Sequence, residues 1–251
     1  MGRTPAPVLE VDLGPGVRAG FTTRAGGVSL PPWDSLNLGL NVGDDPDRVL
    51  VNRDLVRRWA GTWVAWSTQV HGCDVRTLTA RLGDGRTSVG RYDALVSTTA
   101  EAALGVLVAD CVPVLLADPD ARVVATVHAG RRGLVAGAVQ AVVRAMAERG
   151  ADPARVRAAV GPAISGPQYE VPADLRDEVA AVVPETACET AWGTPGLDLP
   201  RGVAAVLRRA GVVRIQETGW CTATDERFYS HRRAQRQGAT TGRCAGVVAL
   251  V

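Results

Sequence analysis

Two histidines and one cysteine of this 251-residue chain stand where they could hold a metal ion together. His71 and His128 each follow an apolar run that predicts a strand. Cys111 lies between two further apolar, β-branched runs, directly after Asp110. Side chains from distant parts of a chain converge where the strands of a sheet end. Two imidazoles and one thiolate suffice for a zinc site that keeps its fourth position open, as catalytic zinc sites do.

The residues alone leave other interpretations of this trio open. A cysteine between apolar runs is more often a small buried apolar side chain, and a histidine at a strand end often bonds only to a backbone carbonyl. Cys73 and Cys221 are rival ligands, and the spacing matches no short zinc motif. For Asp110 we expect a catalytic role, either orienting a ligand imidazole or acting as general base. The alternative for Asp110 is a carboxylate that caps a turn.

A positively charged segment after His128 is a candidate for anion binding. It runs from a predicted strand into the clearest helix of the chain. Backbone amides at a helix start, with Arg131 and Arg132 close by, suit a phosphate or another anion. Arg24, which precedes a pair of glycines, is a second candidate anion contact. The chain has neither a P-loop motif nor the glycine motif of dinucleotide-binding folds, which argues against nucleoside triphosphates and dinucleotides.

Composition limits the partners and the compartment. The formal net charge of +2 is too small to favour nucleic acid or an anionic membrane, and all 28 basic residues are arginine. Five cysteines without a CxxC pair predict a reducing compartment rather than a disulfide framework. Residues 1–14 lack the apolar core of a signal peptide, and Asp110 interrupts the most apolar stretch, residues 104–117. We therefore expect a soluble, cytoplasmic protein.

The pattern of apolar residues predicts one α/β domain over residues 1–251. Strands are predicted at residues 17–23, 62–70, 75–78, 92–97, 104–109, 112–117, 122–127, 155–160, 212–217 and 246–251. Helices are predicted at residues 46–59, 133–149, 174–183 and 198–210, with a polar helix or loop at 224–236 and a turn-rich linker at 82–90. Strands and helices do not alternate strictly, so the sheets should be mixed.

Nine segments of the chain, in this order, resemble the YfiH/LACC1 family, also called the DUF152 or multicopper polyphenol oxidase family. They are TTRAGGVS, SLNLGLNVGDD, QVHG, YDALVS, ADCVPVLLAD, VHAGRRG, GPAISGPQYEV, CTATDERFYSHRR and TGRCAG. The resemblance implies a layered α/β sandwich with mixed sheets and a zinc ion bound by His71, Cys111 and His128. These are the three residues that the strand-end argument selects.

The resemblance also implies an activity. It points to phosphorolysis of purine nucleosides, namely adenosine, inosine, guanosine and methylthioadenosine, together with deamination of adenosine. The expected ligands are a purine nucleoside, phosphate and zinc. Together with the residues selected above, the expected catalytic residues are His71, Cys111, His128 and Asp110, and the expected substrate-binding residues are Arg24, Asn41 and Arg132.

Two positions depart from the family pattern. Arg131 replaces the tryptophan of the usual VHAGWRG, and His231 replaces the second tyrosine of the usual FYSYRR. A lengthened loop also separates that segment from Gly242 and Arg243. These departures affect the expected substrate pocket and leave the three expected zinc ligands intact.

Three other functions compete with a zinc-dependent phosphorylase. A cysteine hydrolase would use Cys111 as nucleophile and His128 as base, and metal content distinguishes it from a zinc enzyme. A copper-dependent polyphenol oxidase would place one copper ion on the trio, although multicopper centres need more histidines than this chain has. A zinc-stabilised binding module would require a fourth ligand, and none is evident in the sequence.

Overall fold

The computed structural model describes residues 7–83 and 87–251. The linker predicted at residues 82–90 and the segment 1–14, for which no signal peptide is expected, therefore lie partly outside the described residues. The helices within the described ranges are all too short or too polar to cross a lipid bilayer.

Thirteen strands are found in the part of the chain that the structure describes. They are β1 (Val8–Glu10), β2 (Val17–Thr22), β3 (Trp63–Trp66), β4 (Val75–Leu78), β5 (Ala94–Ser97), β6 (Ala102–Val108), β7 (Val112–Asp118), β8 (Val123–Ala129), β9 (Arg157–Val160), β10 (Ala187–Glu189), β11 (Pro195–Leu197), β12 (Arg214–Glu217) and β13 (Cys244–Leu250). One sheet has the order β1-β2-β13-β6-β3, a second has the order β12-β9-β7-β8-β5-β4, and β10 pairs with β11 alone.

Both large sheets are mixed, as predicted. In the five-stranded sheet β3 runs parallel to β6, while the other neighbours are antiparallel. In the six-stranded sheet β4 is parallel to β5 and β12 is parallel to β9, with antiparallel pairs between them. The chain crosses from the five-stranded to the six-stranded sheet twice, between β3 and β4 and between β6 and β7, and returns between β5 and β6 and between β12 and β13.

Six α-helices cover these sheets. They are α1 (Pro46–Ala60), α2 (Arg131–Val135), α3 (Ala138–Ala147), α4 (Ala173–Val182), α5 (Leu199–Arg209) and α6 (His231–Arg236) among the described residues. The start of α1 follows the predicted chemistry, because the Asp45 side chain accepts a hydrogen bond from the amide of Asp47 at 2.9 Å and Pro46 occupies the first turn. Gly61 ends α1 in the left-handed conformation, with φ 78°.

The core is divided into three apolar layers. Leu115 and Leu104 meet between the two sheets, whereas Leu116 of the same strand faces the other way, toward α3 and α5. Helix α1 covers the outer face of the five-stranded sheet, where Val247 of β13 packs. Because strands such as β7 are buried on both faces, they read as continuous apolar runs rather than as alternating ones. The layered α/β sandwich predicted for the chain is confirmed.

Several predicted boundaries are wrong. The helix expected at residues 133–149 is two helices, α2 and α3, because Gly137 adopts φ 89° between them. The strand expected at 62–70 ends at Trp66, since the following residues cross toward the other sheet. Of the polar segment 224–236, only α6 is helical, while β1 and the β10–β11 pair were not predicted.

Candidate metal centre and its cavity

The structure brings the side chains of His71, Cys111 and His128 together. Their ligand atoms all lie within 4.8 Å of one another, and no other cluster of three metal-capable residues of this kind occurs in the described part of the chain. The Sγ atom of Cys111 lies 3.8 Å from Nε2 of His71, close to the ~3.5 Å that separates ligands of a tetrahedral zinc ion. The imidazole rings of His71 and His128 are edge to face, with centroids 4.8 Å apart.

The three residues reach the cluster from two crossings between the sheets and from one strand. His71 lies in the crossing between β3 and β4, and Cys111 lies in the crossing between β6 and β7. His128 is part of β8, where it pairs in register with Pro113 of β7. The cluster therefore sits where the chain passes from the five-stranded sheet to the six-stranded one.

The buried carboxylate of Asp93 orients both histidine segments. Its Oδ1 atom lies 2.8 Å from Nδ1 of His128 and accepts a hydrogen bond from the amide of His71 at 2.9 Å. Its Oδ2 atom accepts hydrogen bonds from the amides of Val70 at 3.1 Å and Gly72 at 2.8 Å. A carboxylate on Nδ1 leaves Nε2 of His128 free to face the cluster, which is the usual arrangement for a metal-binding histidine.

The turn that carries His71 is tied to the five-stranded sheet by Gln69. The Gln69 side chain donates to the carbonyl of Leu107 at 2.7 Å and accepts from the amide of Leu107 at 2.8 Å, so it continues the pairing beyond the end of β3. His71 itself has φ 61°, a conformation that non-glycine residues rarely adopt. The backbone amides of Val70 and Gly72, on either side of His71, donate hydrogen bonds to Asp93 and hold His71 in this conformation.

Asp110 does not orient a ligand imidazole, and this part of its predicted role is wrong. Its carboxylate accepts hydrogen bonds from the Thr222 hydroxyl at 2.6 Å and from the amide of Arg232 at 2.6 Å. These contacts hold Asp110 at φ 88° directly before Cys111 and attach the start of α6 to the site. The carboxylate that orients an imidazole is Asp93.

Gly130 allows the close approach of the ligands. A Cβ atom at this position would lie 2.8 Å from Cδ2 of His71 and 3.0 Å from Sγ of Cys111. Cβ atoms essentially never come within 3.0 Å of another heavy atom, so a side chain here would push the His71 ring away from Cys111.

Cys111 and His128 shift each other's pKa in opposite directions. Burial alone would raise the pKa of the Cys111 thiol, but the facing His128 and His71 rings outweigh this and lower it. Burial alone would lower the pKa of His128, but the thiolate of Cys111 and the carboxylate of Asp93 raise it. The cysteine is thus favoured as a thiolate, the form that binds metals and acts as a nucleophile.

The donor set fits a zinc ion. Thiolate sulfur and imidazole nitrogen are the ligands that zinc prefers, and three of them leave one coordination position open. The rival cysteines lie elsewhere: Cys73 packs against the apolar layer under α3, and Cys221 accepts a hydrogen bond from the Ser165 hydroxyl at 3.1 Å. The three residues selected from the sequence therefore lie close enough together to hold one metal ion.

A cavity of about 640 Å³ opens onto the cluster. Its walls include residues of the loop 39–42, of the segment 66–69, of strand β6 and of the C-terminal TGR segment. Sites for small molecules usually fall between about 300 and 1,000 Å³. Of the residues expected to bind substrate, Asn41 lines this cavity, and so does His231, one of the two departures from the family pattern.

Arg24 and Arg132 do not line this cavity, contrary to expectation. The Arg24 side chain donates to the carbonyl of Asp34 at 2.8 Å and pairs with its carboxylate at 3.1 Å. Arg132 is exposed on α2. The arginines that line the cavity are Arg53 and Arg243, neither of which was predicted from the sequence.

Arg131, the other departure, interacts with Tyr169 instead of lining the cavity. Burial and the nearby Cys111 raise the pKa of the Tyr169 hydroxyl, while Arg131 and Arg232 act in the opposite direction. The guanidinium of Arg232 lies 5.0 Å from the centroid of the Tyr169 ring. Arg131 thus places a cation beside Tyr169, at the position where the family usually has a tryptophan ring.

Asp93 was not predicted as a site residue, although its position beside an apolar strand could have indicated it. Asp93 directly precedes the apolar strand β5, and Asp110 follows β6 after one residue, so both are carboxylates at the end of a buried run. The roles of Gln69, Arg53 and Arg243 depend on contacts between distant segments, for which the sequence carries no local signal.

The fold and the site define a layered α/β protein with a candidate mononuclear metal centre. A family model described as "Multi-copper polyphenol oxidoreductase laccase" matches residues 18–251. The chain belongs to this family, which includes the YfiH and DUF152 proteins.

Relatives match over nearly their whole length. A purine nucleoside phosphorylase of Streptomyces coelicolor is 52% identical over 238 residues, covering 94% of this chain and 96% of the relative. The purine nucleoside phosphorylase YfiH of Shigella flexneri is 40% identical, covering 97% of this chain and 98% of the relative. The crystal structure of the DUF152 protein NMB0706 of Neisseria meningitidis superposes with a TM-score of 0.85 at 34% identity, covering 97% and 98% of the two chains. The predicted family is confirmed.

Proposed function

We propose that this protein is a zinc-dependent purine nucleoside phosphorylase. Its substrates are adenosine, inosine, guanosine and methylthioadenosine, and adenosine deamination is a side activity in the same cavity. The observation that carries the proposal is the cluster of His71, Cys111 and His128 at the wall of a cavity of about 640 Å³. The names of the relatives support the same activity. A cytoplasmic location is part of the same proposal.

Phosphorolysis exchanges one bond at the anomeric carbon of the ribose. The bond from C1′ to the purine nitrogen breaks, and its electron pair leaves with the base, which takes up a proton. An oxygen of inorganic phosphate forms the new bond to C1′, so the products are the free base and ribose 1-phosphate. The protein must therefore hold the nucleoside and the phosphate side by side and exclude competing water.

Side chains of this chain orient one ligand of the cluster and favour the thiolate form of another. Asp93 holds the His128 ring in one orientation, and His71 and His128 together favour the Cys111 thiolate. Zinc, when bound, supplies a Lewis acid that polarises an oxygen of a substrate. Asn41 lines the cavity, and in this proposal its amide contacts the nucleoside.

A cysteine hydrolase is the second candidate, because the cluster also favours a thiolate beside a protonated imidazole. A free thiolate at Cys111 would act as nucleophile, with His128 as the proton donor and acceptor. In that case chelators would leave activity intact or raise it. Copper in the same site is a third candidate, in keeping with the description of the family model.

Mass-spectrometric product analysis with adenosine, run with and without phosphate, tests the proposal. We expect adenine and ribose 1-phosphate only when phosphate is present, with some inosine in both reactions from deamination. Inosine alone in both reactions would contradict phosphorolysis as the main activity. No product in either reaction, or a chelator-resistant hydrolysis, would favour the cysteine hydrolase.

Replacing Cys111 by Ala connects this activity to the metal. We expect the Cys111→Ala protein to lose phosphorolysis and about one equivalent of zinc together, because one of only three ligands is removed. The matched control is Cys188→Ala, a thiol on β10 that does not line the cavity. Elemental analysis should find zinc in the control and in the wild type. Full turnover by metal-free Cys111→Ala protein would refute the proposal.

A further inference from the structure

Two arginines, one buried and one half-buried, stand on the wall of the cavity. Arg53, on α1, is only 8% exposed, and its Nε donates to the carbonyl of Leu38 at 3.0 Å. Its guanidinium lies 4.9 Å from the centroid of the Trp66 ring. Arg243, just before β13, donates through Nη1 to the carbonyls of Thr241 at 3.2 Å and Gly242 at 3.0 Å.

Neither arginine has its charge balanced by a carboxylate. Within residues 7–83 and 87–251, neither guanidinium forms an ion pair, in contrast to Arg24, which pairs with Asp34. Burial lowers the pKa of Arg53 to about 10, and it lowers that of Arg243, although the nearby Cys111 and Asp110 act in the opposite direction. Both side chains stay protonated at neutral pH, and buried cations normally face an anion.

The two side chains also keep free donors. Nη1 and Nη2 of Arg53, and Nε and Nη2 of Arg243, have no hydrogen-bond partner among the described residues. Carbonyl bonds orient each guanidinium without neutralising it. Both side chains line the same cavity.

One loop holds both arginines in place. Leu38 accepts from Arg53 and donates its own amide to the carbonyl of Arg243 at 3.1 Å. Gly39 leaves room for the Arg243 side chain, because a Cβ there would lie 2.7 Å from Cγ of Arg243. Asn37 accepts from the amide of Arg243 at 2.9 Å and donates to Asp44 at 2.8 Å. The guanidiniums are thus fixed before any ligand arrives.

We propose that Arg53 and Arg243 form the phosphate subsite of this cavity, where they bind inorganic phosphate by charge-assisted hydrogen bonds. A guanidinium presents a planar fork of donors that matches two oxygens of a phosphate. Two such groups balance the charge of the phosphate dianion. The proposal rests on the proposed phosphorylase activity, because it assigns the second substrate to these side chains in place of Arg24 and Arg132.

Calorimetric titration of inorganic phosphate into the zinc-loaded protein, at constant ionic strength in chloride, tests the subsite. We expect Arg53→Gln and Arg243→Gln each to weaken phosphate binding by about 10- to 100-fold, because charge-assisted hydrogen bonds are lost. The matched control is Arg57→Gln on the outer side of α1, which removes one positive charge from an exposed pair with Asp54 and should leave the affinity unchanged. Unchanged phosphate affinity in folded Arg53→Gln and Arg243→Gln proteins would overturn the subsite.

A measurement on the wild-type protein keeps the test independent of folding of the variants. Phenylglyoxal modifies arginine side chains, and peptide mapping reports each position. Phosphate should slow modification of Arg53 and Arg243 and leave Arg57 unaffected. If phosphate left the modification rates of Arg53 and Arg243 as unchanged as that of Arg57, the subsite would be overturned.

The subsite and the proposed function can fail separately. Ribose 1-phosphate production with an unchanged KM for phosphate in both variants would leave the phosphorylase standing and remove the subsite. Phosphate binding that depends on both arginines, without release of base from any nucleoside, would retain the subsite and remove the phosphorylase.

Discussion

The carboxylate of Asp93 accepts one hydrogen bond from the ring of His128 and three from backbone amides around His71. A single buried charge thus sets the ring orientation of one candidate ligand and the backbone conformation of another. Burial alone would raise the pKa of Asp93, but these bonds outweigh it and lower the pKa. The ionised form is therefore part of the folded site.

Replacing Asp93 by Asn should weaken zinc binding by about 10- to 100-fold, as loss of a carboxylate partner of a histidine ligand typically does. An amide carries no charge, and its NH2 group would face the amides of Val70 or Gly72. Competition with a chromophoric chelator measures the affinity. Asp54→Asn, on the exposed side of α1, is the control. Equal zinc affinity in the two variants would show that Asp93 does not support the metal site.

At the scale of elements, Asp118 connects the turn after β7 with the segment before β9. Its Oδ1 accepts from the amides of Asp120 at 3.1 Å and Ala121 at 3.2 Å. Its Oδ2 accepts from the amide of Asp152 at 2.9 Å and from Arg155 at 3.1 Å. The side chain is fully buried, so these bonds replace its hydration. They fix the far end of the β7–β8 hairpin, whose other end carries the candidate metal centre.

The Asp118→Asn protein should lose about 1–3 kcal/mol of unfolding free energy at pH 7, because buried amides lose a charged acceptor. Urea denaturation measures the change, and phosphorolysis should be unaffected. Asp120→Asn, in the same turn but exposed, should change stability by less than about 1 kcal/mol. A loss of similar size in both variants would contradict a specific role for Asp118.

The difference in unfolding free energy between wild type and Asp118→Asn should also depend on pH. Burial alone would raise the pKa of Asp118, but hydrogen bonds from Asp152, Ala121 and Arg155 outweigh it and hold the pKa below 3.8. A lowered native pKa means that the contribution is complete above 3.8 and is lost as the pH falls through the native value. The gap between wild type and Asp118→Asn should therefore close in acid, and a gap independent of pH would contradict this assignment.

At the scale of the whole molecule, the candidate metal centre joins the two sheets. His71 and Cys111 lie on the two crossings from the five-stranded to the six-stranded sheet, and His128 lies within the latter. Their side chains come together only when both sheets are formed and packed. An ion bound to all three would consequently bind the native state alone.

Zinc should therefore stabilise the entire fold. Free zinc at about 100 times its Kd should add about 2.7 kcal/mol to the unfolding free energy, and a strong chelator should lower Tm. Differential scanning calorimetry with and without chelator measures both effects. The Cys111→Ala protein should show a much smaller response. An identical response to chelator in wild type and Cys111→Ala would mean that the metal acts at another place.

Prediction from sequence succeeded where the signal was local or came from ordered motifs. The apolar runs of β7 and β8 and the cap of α1 were readable because burial and capping act on neighbouring residues. It failed at Gly137, because a glycine within an apolar helical pattern does not show whether its φ is positive. It also assigned the anion contacts to Arg24 and Arg132, since an exposed arginine and a cavity arginine look alike in sequence.

The sequence by itself determined the order of most elements, the layered α/β class, the family and the three metal-capable residues. These follow from residue type, periodicity and motif order, which need no long-range contact. Only the tertiary structure decided that Asp93 rather than Asp110 orients His128, and that Arg53 and Arg243 rather than Arg24 and Arg132 line the cavity. Such choices depend on which distant side chains are buried together without a partner, and only the packed chain defines those neighbours.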